Sequence, residues 1–203
     1  MNAATDFTLR FVLFALLHSA LATKRLKGAL LLRAPKVARF HRIGYNLVAF
    51  VTCAWLMSAW PLPPVLYVVP GAGSLIFHAL QAGLLISLFR CLVETGVSDF
   101  IGTRSLREHQ PSGNLVTSGC YGRVRHPLYS LALLLLAFNP VMTLKWLLLT
   151  VYSGIYFTIG AVMEERRLEE EFGDVYREYR KRVPMFIPAP HRQTKNKSKP
   201  GKV

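Results

Sequence analysis

The stretch LYSLALLLLAFNPVMTLKWLLLTVYSGIYFTIGAV, residues 128–162, decides the fold. Crossing the hydrocarbon core takes roughly 20 apolar residues in helical form, and this run is too long for one crossing. Asn139-Pro140 falls inside it. A residue before proline resists the α conformation, so the run reads as a tight helical hairpin, 128–138 followed by about 143–162. The first arm is too short to cross alone unless the preceding H-P-L-Y extends it. Working outward, residues 7–22, 43–60 and 74–93 form three further apolar runs, the second closed by Pro61, Pro63 and Pro64. The expected fold is all-α: a polytopic membrane helix bundle of about five transmembrane helices, with a helical hairpin and a C-terminal interfacial helix.

Composition agrees with this placement. Apolar residues make up 52% and charged residues 18% of 203, and the mean hydropathy is +0.30. Such a chain is too apolar for disorder or an ordinary soluble domain. Its length points to a single membrane domain, 1–190 with a core at 115–188, followed by a disordered basic tail, 191–203, able to touch anionic lipid. A cleavable signal peptide at the N-terminus is disfavoured, because the first run lacks a basic start and a clear A-x-A exit.

The net charge of +14 would by itself suggest a nucleic-acid or anionic-membrane partner. Its distribution excludes nucleic acid. Lys24, Arg25, Lys27, Arg33, Lys36, Arg39 and Arg42 lie between the first two runs, whereas 61–73 carries no charge. Arg104, Arg107, Arg123 and Arg125 precede the hairpin, whose tip holds only Lys145. Basic and neutral loops alternate, and the positive-inside rule then puts the N-terminus outside and the C-terminus in the cytoplasm.

Cys53, Cys91 and Cys120 have no CxxC or Cys/His spacing, so they read as buried or idle thiols, with neither a disulfide framework nor a metal site. Gly71-Ala72-Gly73 lacks the strand and helix context of a nucleotide loop and reads as a turn. His18, Ser19, His78 and Gln81 read as hydrogen-bonding contacts between helices. Glu169, Glu170, Glu171, Arg177, Arg180, Lys181 and Arg182 read as a charged amphipathic helix at the membrane surface.

Two polar blocks remain, LVTSGCYGRVRHPLY (115–129) and MEERRLEEEFGDVYREY (163–179). An antiparallel hairpin brings the start of its first helix beside the end of its second. Arg125, His126, Glu164 and Glu165 therefore converge at the cytoplasmic boundary, where ionisable groups are costly and point to function. Neighbours on a helix diverge by about 100 degrees, so Arg125 and His126 are expected to serve different ligands.

At these residues the chain resembles the integral-membrane methyltransferases that include isoprenylcysteine carboxyl methyltransferase and the phospholipid amine methyltransferases. The resemblance is carried by G-C-Y-x-x-x-R-H-P-L-Y, an apolar hairpin, E-E, and E-F-G-D-x-Y-R-E-Y-R-K-R-V-P-M-F-I-P, over 115–188. His18-Ser19 and D-F-I-G-T-R (99–104) are similar to the bacterial methanethiol S-methyltransferase and nitric-oxide-associated membrane protein branch. The resemblance implies S-adenosylmethionine (SAM) as methyl donor, held by Tyr121, His126, Tyr129 and Glu164, with the backbone of Leu115, Val116 and Gly119 near its adenosyl part. It places Arg125 and Glu165 at the acceptor, which enters from the bilayer: a small thiol, a prenylcysteine carboxylate or a lipid amine. No metal is expected. A non-catalytic subunit of a respiratory or denitrification enzyme is the alternative, although it would not need R-H-P-x-Y and E-E; a transporter lacks the inverted repeat.

Overall fold

A computed structural model describes residues 2–38, 40–101 and 115–188. The tail 191–203, Arg39, Arg107 and part of D-F-I-G-T-R, 102–104, lie outside the described residues. In chain order the helices are α1 (Ala3–Leu21), α2 (Lys24–Arg33), α3 (Pro35–Ala38), α4 (His41–Ser58), α5 (Gly71–Thr95), α6 (Val97–Ile101), α7 (Pro127–Ala137), α8 (Leu144–Phe172) and α9 (Asp174–Arg182). A 3-10 turn, Gly119–Gly122, precedes α7.

Among the described residues, α1, α5 and α8 are long and apolar enough to cross a membrane. Helix α4 has 18 residues but opens on His41 and Arg42, and α7 has 11, a rise of ~16 Å. That is about half of the ~30 Å hydrocarbon core. The bundle is clad in apolar side chains, with Leu16, Phe50, Ile76, Ile86 and Ile155 exposed, as a lipid-facing surface requires.

Helix α1 packs against α4 and α8, and α7 lies between α5 and α8. Phe7, Phe11, Leu56 and Ala59 form the core where α1, α4 and α8 meet, with Tyr152 and Leu148 against it. Two basic side chains close this end. Arg10 donates to the Trp55 carbonyl at 3.0 Å and stands over the Trp55 ring. Lys145 reaches the Met57 and Ala59 carbonyls at 3.3 and 3.4 Å. The start of α1, the 61–73 connection and the hairpin tip thus share one end of the bundle, as the alternating charges require.

The structure corrects several readings. The uncharged 61–73 connection is not merely a loop: β1 (Val65–Val68) pairs antiparallel with β2 (Val141–Thr143) at the hairpin tip. The fold is helical as expected, with this small ribbon added. Pro140 ends α7 as expected, and the residues that follow find backbone partners in a strand too distant in sequence for local periodicity to show. Gly71, at φ +55, does make a turn, but it also starts α5. Helix α8 continues ten residues past 162, carrying the acidic block in one piece to Phe172. Gly173, at φ +54, turns the chain into α9.

Cys91 and Cys120 are not idle thiols. They form a disulfide between α5 and the 3-10 turn, and Cys53 is free and exposed. Sequence spacing could not show this, because helix packing is what brings the two residues together. Alkylation of protein purified without reductant is expected to label Cys53 alone; three adducts by intact mass would refute the bond.

Candidate functional site

Pro127 occupies the first helical position of α7, where a missing N–H costs nothing. His126 before it is non-helical (φ −123, ψ 63). The backbone just before the helix therefore has free donors, and the chain end supplies acceptors. Arg125 N–H donates to the Pro184 carbonyl at 2.8 Å and His126 N–H to Met185 at 3.1 Å. The Ser130 hydroxyl donates to the Phe186 carbonyl at 2.8 Å. Residues 184–186 thus form a strap across the base of the hairpin.

Helix α8 delivers both glutamates to this base. Arg125 Nε donates to Glu165 Oε1 at 2.7 Å, and His126 Nε2 stands 3.2 Å from the same oxygen. His126 and Glu165 are each 6% exposed. A carboxylate only accepts, so the contact assigns a proton to Nε2. The guanidinium of Arg125 also donates to the Val183 carbonyl and, at 3.2 Å, to that of Arg180. Glu164 is different: its side chain is 46% exposed, 3.7 Å from His126 Nδ1, and its Oε2 accepts from the Tyr129 hydroxyl at 3.2 Å. The rings of His126 and Tyr129 stack at 5.5 Å, and Phe186 flanks His126 at 5.8 Å.

The expectation that the Arg125 and His126 side chains diverge is corrected by this geometry. Both residues precede the helix, where the 100-degree rule does not operate, and both reach Glu165. In this geometry Arg125 and Glu165 pair with each other, and Glu165 also meets His126.

The 3-10 turn is held from three sides. The Tyr179 hydroxyl donates to the Tyr121 carbonyl at 2.6 Å, the Cys120 N–H donates to Glu94 at 2.8 Å, and the disulfide fixes Cys120 to α5. Gly119 has φ +60, and a Cβ there would stand 2.5 Å from the Glu94 carboxylate oxygens. The backbone there favours glycine, and a Cβ would have to push the Glu94 carboxylate aside. Burial and the Glu164 charge push the Tyr121 hydroxyl up to about 12, so it is a hydrogen-bond donor at neutral pH. Leu115 packs on the Tyr176, Tyr179 and Val183 cluster, and Val116 beside it is half-buried.

The structure thus brings Arg125, His126, Tyr129, Glu164 and Glu165 into contact, with Tyr121 within electrostatic reach of Glu164. Glu94, Arg180 and Phe186 were not expected at the site. Arg180 stands 3.8 Å from Glu165 Oε2 and 3.1 Å from Glu169. For Arg180 and Phe186 the signal lay in the C-terminal motif itself, whereas Glu94 carried none, since its partner lies 26 residues away. Helix α9 also differs from a simple surface helix. Tyr176 and Tyr179 are buried against Leu115, Leu168 and Phe172, so protein covers its apolar stripe.

Chemically, the base offers an accessible carboxylate beside stacked aromatic faces. That set suits a cationic ligand such as a sulfonium or an ammonium. Among the described residues no group of three or more His, Cys, Asp or Glu side chains is arranged to hold a metal ion.

Comparison with known proteins gives the family. The chain is 31% identical over 188 residues to methanethiol S-methyltransferase 1 of Bradyrhizobium diazoefficiens, covering 89% of this chain and 65% of that protein. It is 30% identical over 187 residues to a methanethiol S-methyltransferase of Crocosphaera subtropica, covering 87% of this chain and 71% of that one. Protein-S-isoprenylcysteine O-methyltransferase of Xenopus laevis is 33% identical over 117 residues, 52% of this chain and 39% of that protein. The chain thus spans just under two thirds of the first of these relatives. No family model matches. No solved structure matches. With this similarity running through the hairpin and its motifs, the chain belongs to the integral-membrane methyltransferase superfamily of the isoprenylcysteine type, alongside the methanethiol S-methyltransferases.

Proposed function

We propose that the protein is a SAM-dependent membrane methyltransferase whose acceptor is a small thiol. The observation that carries the reading is the convergence of His126, Tyr129 and Glu164 at the hairpin base, with one glutamate accessible and the other locked. In this reading Glu164, His126, Tyr129 and Tyr121 hold the charged end of SAM, and the backbone of Leu115, Val116 and Gly119 lines its adenosyl part. SAM supplies the methyl group. The carboxylate and the aromatic faces suit its sulfonium, and the exposed Glu164 oxygen is placed to receive a cation. Arg125 and Glu165 take a different part from the one expected of them: they hold His126 in place.

Most of the work such a site does is positioning, since transfer from a sulfonium needs an aligned nucleophile more than acid or base assistance at the carbon. A thiol acceptor is supported by relatives that match most of the chain and are named for methanethiol. A prenylcysteine acceptor has support from a shorter match. Orientation with the site in the cytoplasm follows from the basic loops; the disulfide at that end is the observation that runs against a reducing compartment there. The reading favours an enzyme over a non-catalytic subunit because a scaffold needs no accessible Glu164 beside His126.

The test is transfer from methyl-labelled SAM by detergent-purified protein, offered ethanethiol, a farnesylcysteine or extracted membrane lipid in separate reactions. Labelled ethyl methyl sulfide is the expected product. Label in the farnesylcysteine or lipid instead would overturn the thiol assignment, and no label in any product would overturn the enzyme.

A further inference from the structure

The Cys91–Cys120 disulfide lies at the end of the bundle that carries the hairpin base, the end that the basic connections give to the cytoplasm. Reducing compartments keep thiols reduced, and a disulfide found in one is usually transient and redox-sensing rather than structural. Its neighbours show which part of the molecule such a bond would act on. Cys91, Glu94 and Thr95 share one face of the last turns of α5. Cys91 bonds the Cys120 side chain, Glu94 accepts the Cys120 N–H at 2.8 Å, and Thr95 lies beside the Tyr121 hydroxyl. On the far side of the turn, the Tyr179 hydroxyl of α9 donates to the Tyr121 carbonyl at 2.6 Å.

The 3-10 turn depends on these ties. It has four residues, too few for a helix to hold itself, and Gly119 within it stands at φ +60. Among the ties the disulfide is the covalent one, and it joins positions 29 apart in the chain. With that bond open, hydrogen bonds and packing are left to seat the turn on α5. The two cysteines are not equally accessible. Cys91 is 2% exposed and Cys120 half-buried, so an incoming thiolate meets the bond at Cys120. Gly119 and Tyr121, on either side of Cys120, are the residues that the methyltransferase reading sets against SAM.

We propose that Cys91–Cys120 is a thiol–disulfide exchange site for a dithiol reductant, and that its redox state sets the affinity of the hairpin base for SAM. The second half of this rests on the SAM reading given above. In the step, a thiolate of the dithiol attacks Cys120 Sγ. A new S–S bond forms there, the Cys91–Cys120 bond breaks, and its electron pair goes to Cys91 Sγ, which takes up a proton. The dithiol's second thiolate then attacks the reductant sulfur of the mixed disulfide, and the pair of that bond leaves with Cys120 Sγ, which is protonated in turn. Two electrons and two protons pass to the protein, and the dithiol ends as a cyclic disulfide. A disulfide oxidant runs the exchange backward. With the bond closed, Gly119 and Tyr121 are in place before SAM arrives. With it open, SAM binds the fraction of molecules in which the turn is seated, and the apparent affinity falls by that fraction. Glu94 and Tyr179 still restrain the turn, so the loss is graded rather than complete.

The test uses full-length protein in detergent, purified without reductant, then reduced with dithiothreitol under anaerobic conditions and finally reoxidised with oxidised glutathione. Calorimetric titration with SAM is expected to show about tenfold weaker binding in the reduced form, as when about a tenth of the molecules have the turn seated, and recovery on reoxidation. Cys53→Ser should keep this response. Cys91→Ser combined with Cys120→Ser should bind SAM as weakly as reduced protein and ignore dithiothreitol. Equal affinity in the two redox forms, or a response to dithiothreitol that survives in the double variant, would break the link to SAM. A bond that dithiothreitol opens only after the protein is unfolded would rule out the exchange site. SAM binding in neither form would instead overturn the SAM reading, and with it the affinity half of the proposal. A second arm needs no SAM. Amide hydrogen exchange at 120–122 is expected to quicken on reduction, while exchange in the β1–β2 ribbon at the opposite end stays as it was. Unchanged exchange at 120–122 would show that the disulfide does not govern the turn, whatever the outcome with SAM.

Discussion

His126→Ala and Glu164→Ala are each expected to weaken SAM binding at least ~30-fold, and methyl transfer should fall with it. Truncating one partner of a hydrogen-bonded charge pair costs about 2–5 kcal/mol, and 1.4 kcal/mol is about tenfold in affinity. Glu164 is the accessible carboxylate at the hairpin base, and the Tyr129 hydroxyl bonded to it at 3.2 Å aims it. His126 contributes a ring stacked on Tyr129 and flanked by Phe186, so its loss removes part of the aromatic wall as well as a polar partner. The Glu164 substitution leaves little buried surface unpaired, because the side chain is almost half exposed. That variant should reach the membrane at normal levels. Calorimetric titration of detergent-purified protein with SAM checks both variants, and wild-type affinity in both would show that the ligand sits elsewhere.

Arg125→Ala is expected to act first on stability. Among the described residues, the substitution leaves Glu165, 6% exposed, with His126 at 3.2 Å and Arg180 at 3.8 Å. Breaking a buried ion pair by removing one partner costs about 3–5 kcal/mol, against a total of about 5–15 kcal/mol for a typical domain. The guanidinium's bonds to the Arg180 and Val183 carbonyls go with it, and these anchor the end of α9 and the start of the strap. Removing both charges together, as in Arg125→Met with Glu165→Leu, should recover much of the loss, since an apolar pair leaves no buried charge behind. It should not recover transfer, because His126 has lost the carboxylate that orients it. Thermal unfolding in detergent, read beside a labelled-methyl assay, separates the two effects. A single Arg125→Ala variant with unchanged melting temperature would refute the clamp, and an active double variant would refute the orienting role of Glu165.

The linear sequence determined the parts of this protein that depend on composition and local geometry. Apolar runs mark helices wherever they occur, because hydrocarbon leaves backbone groups no partner but one another. Asn139-Pro140 breaks one run in two for a steric reason contained in two residues. That break makes α7 and α8 antiparallel neighbours, which lets His126 and Tyr129 meet Glu164, eight residues before the end of α8. The alternation of basic and neutral loops likewise agrees with which connections share an end of the bundle.

Tertiary structure decided whatever required two distant segments to meet. The β1–β2 ribbon joins residues more than seventy positions apart, Cys91 finds Cys120, and Glu94 finds the Cys120 amide. No spacing rule reaches across such separations. The pairing of Arg125 and His126 on one glutamate oxygen was missed for a sharper reason: helical periodicity was applied to residues that lie just outside the helix, where backbone donors turn to the strap at 184–186 instead. Tyr176 and Tyr179 show the same limit, since periodicity marks a stripe on α9 but cannot say whether lipid or protein covers it. His18 is the extreme case. Its link to Tyr45 is of the ordinary interhelical kind, and only the packing of α1 against α4 and α8 shows that one of its two nitrogens is buried with no hydrogen-bond partner among the described residues.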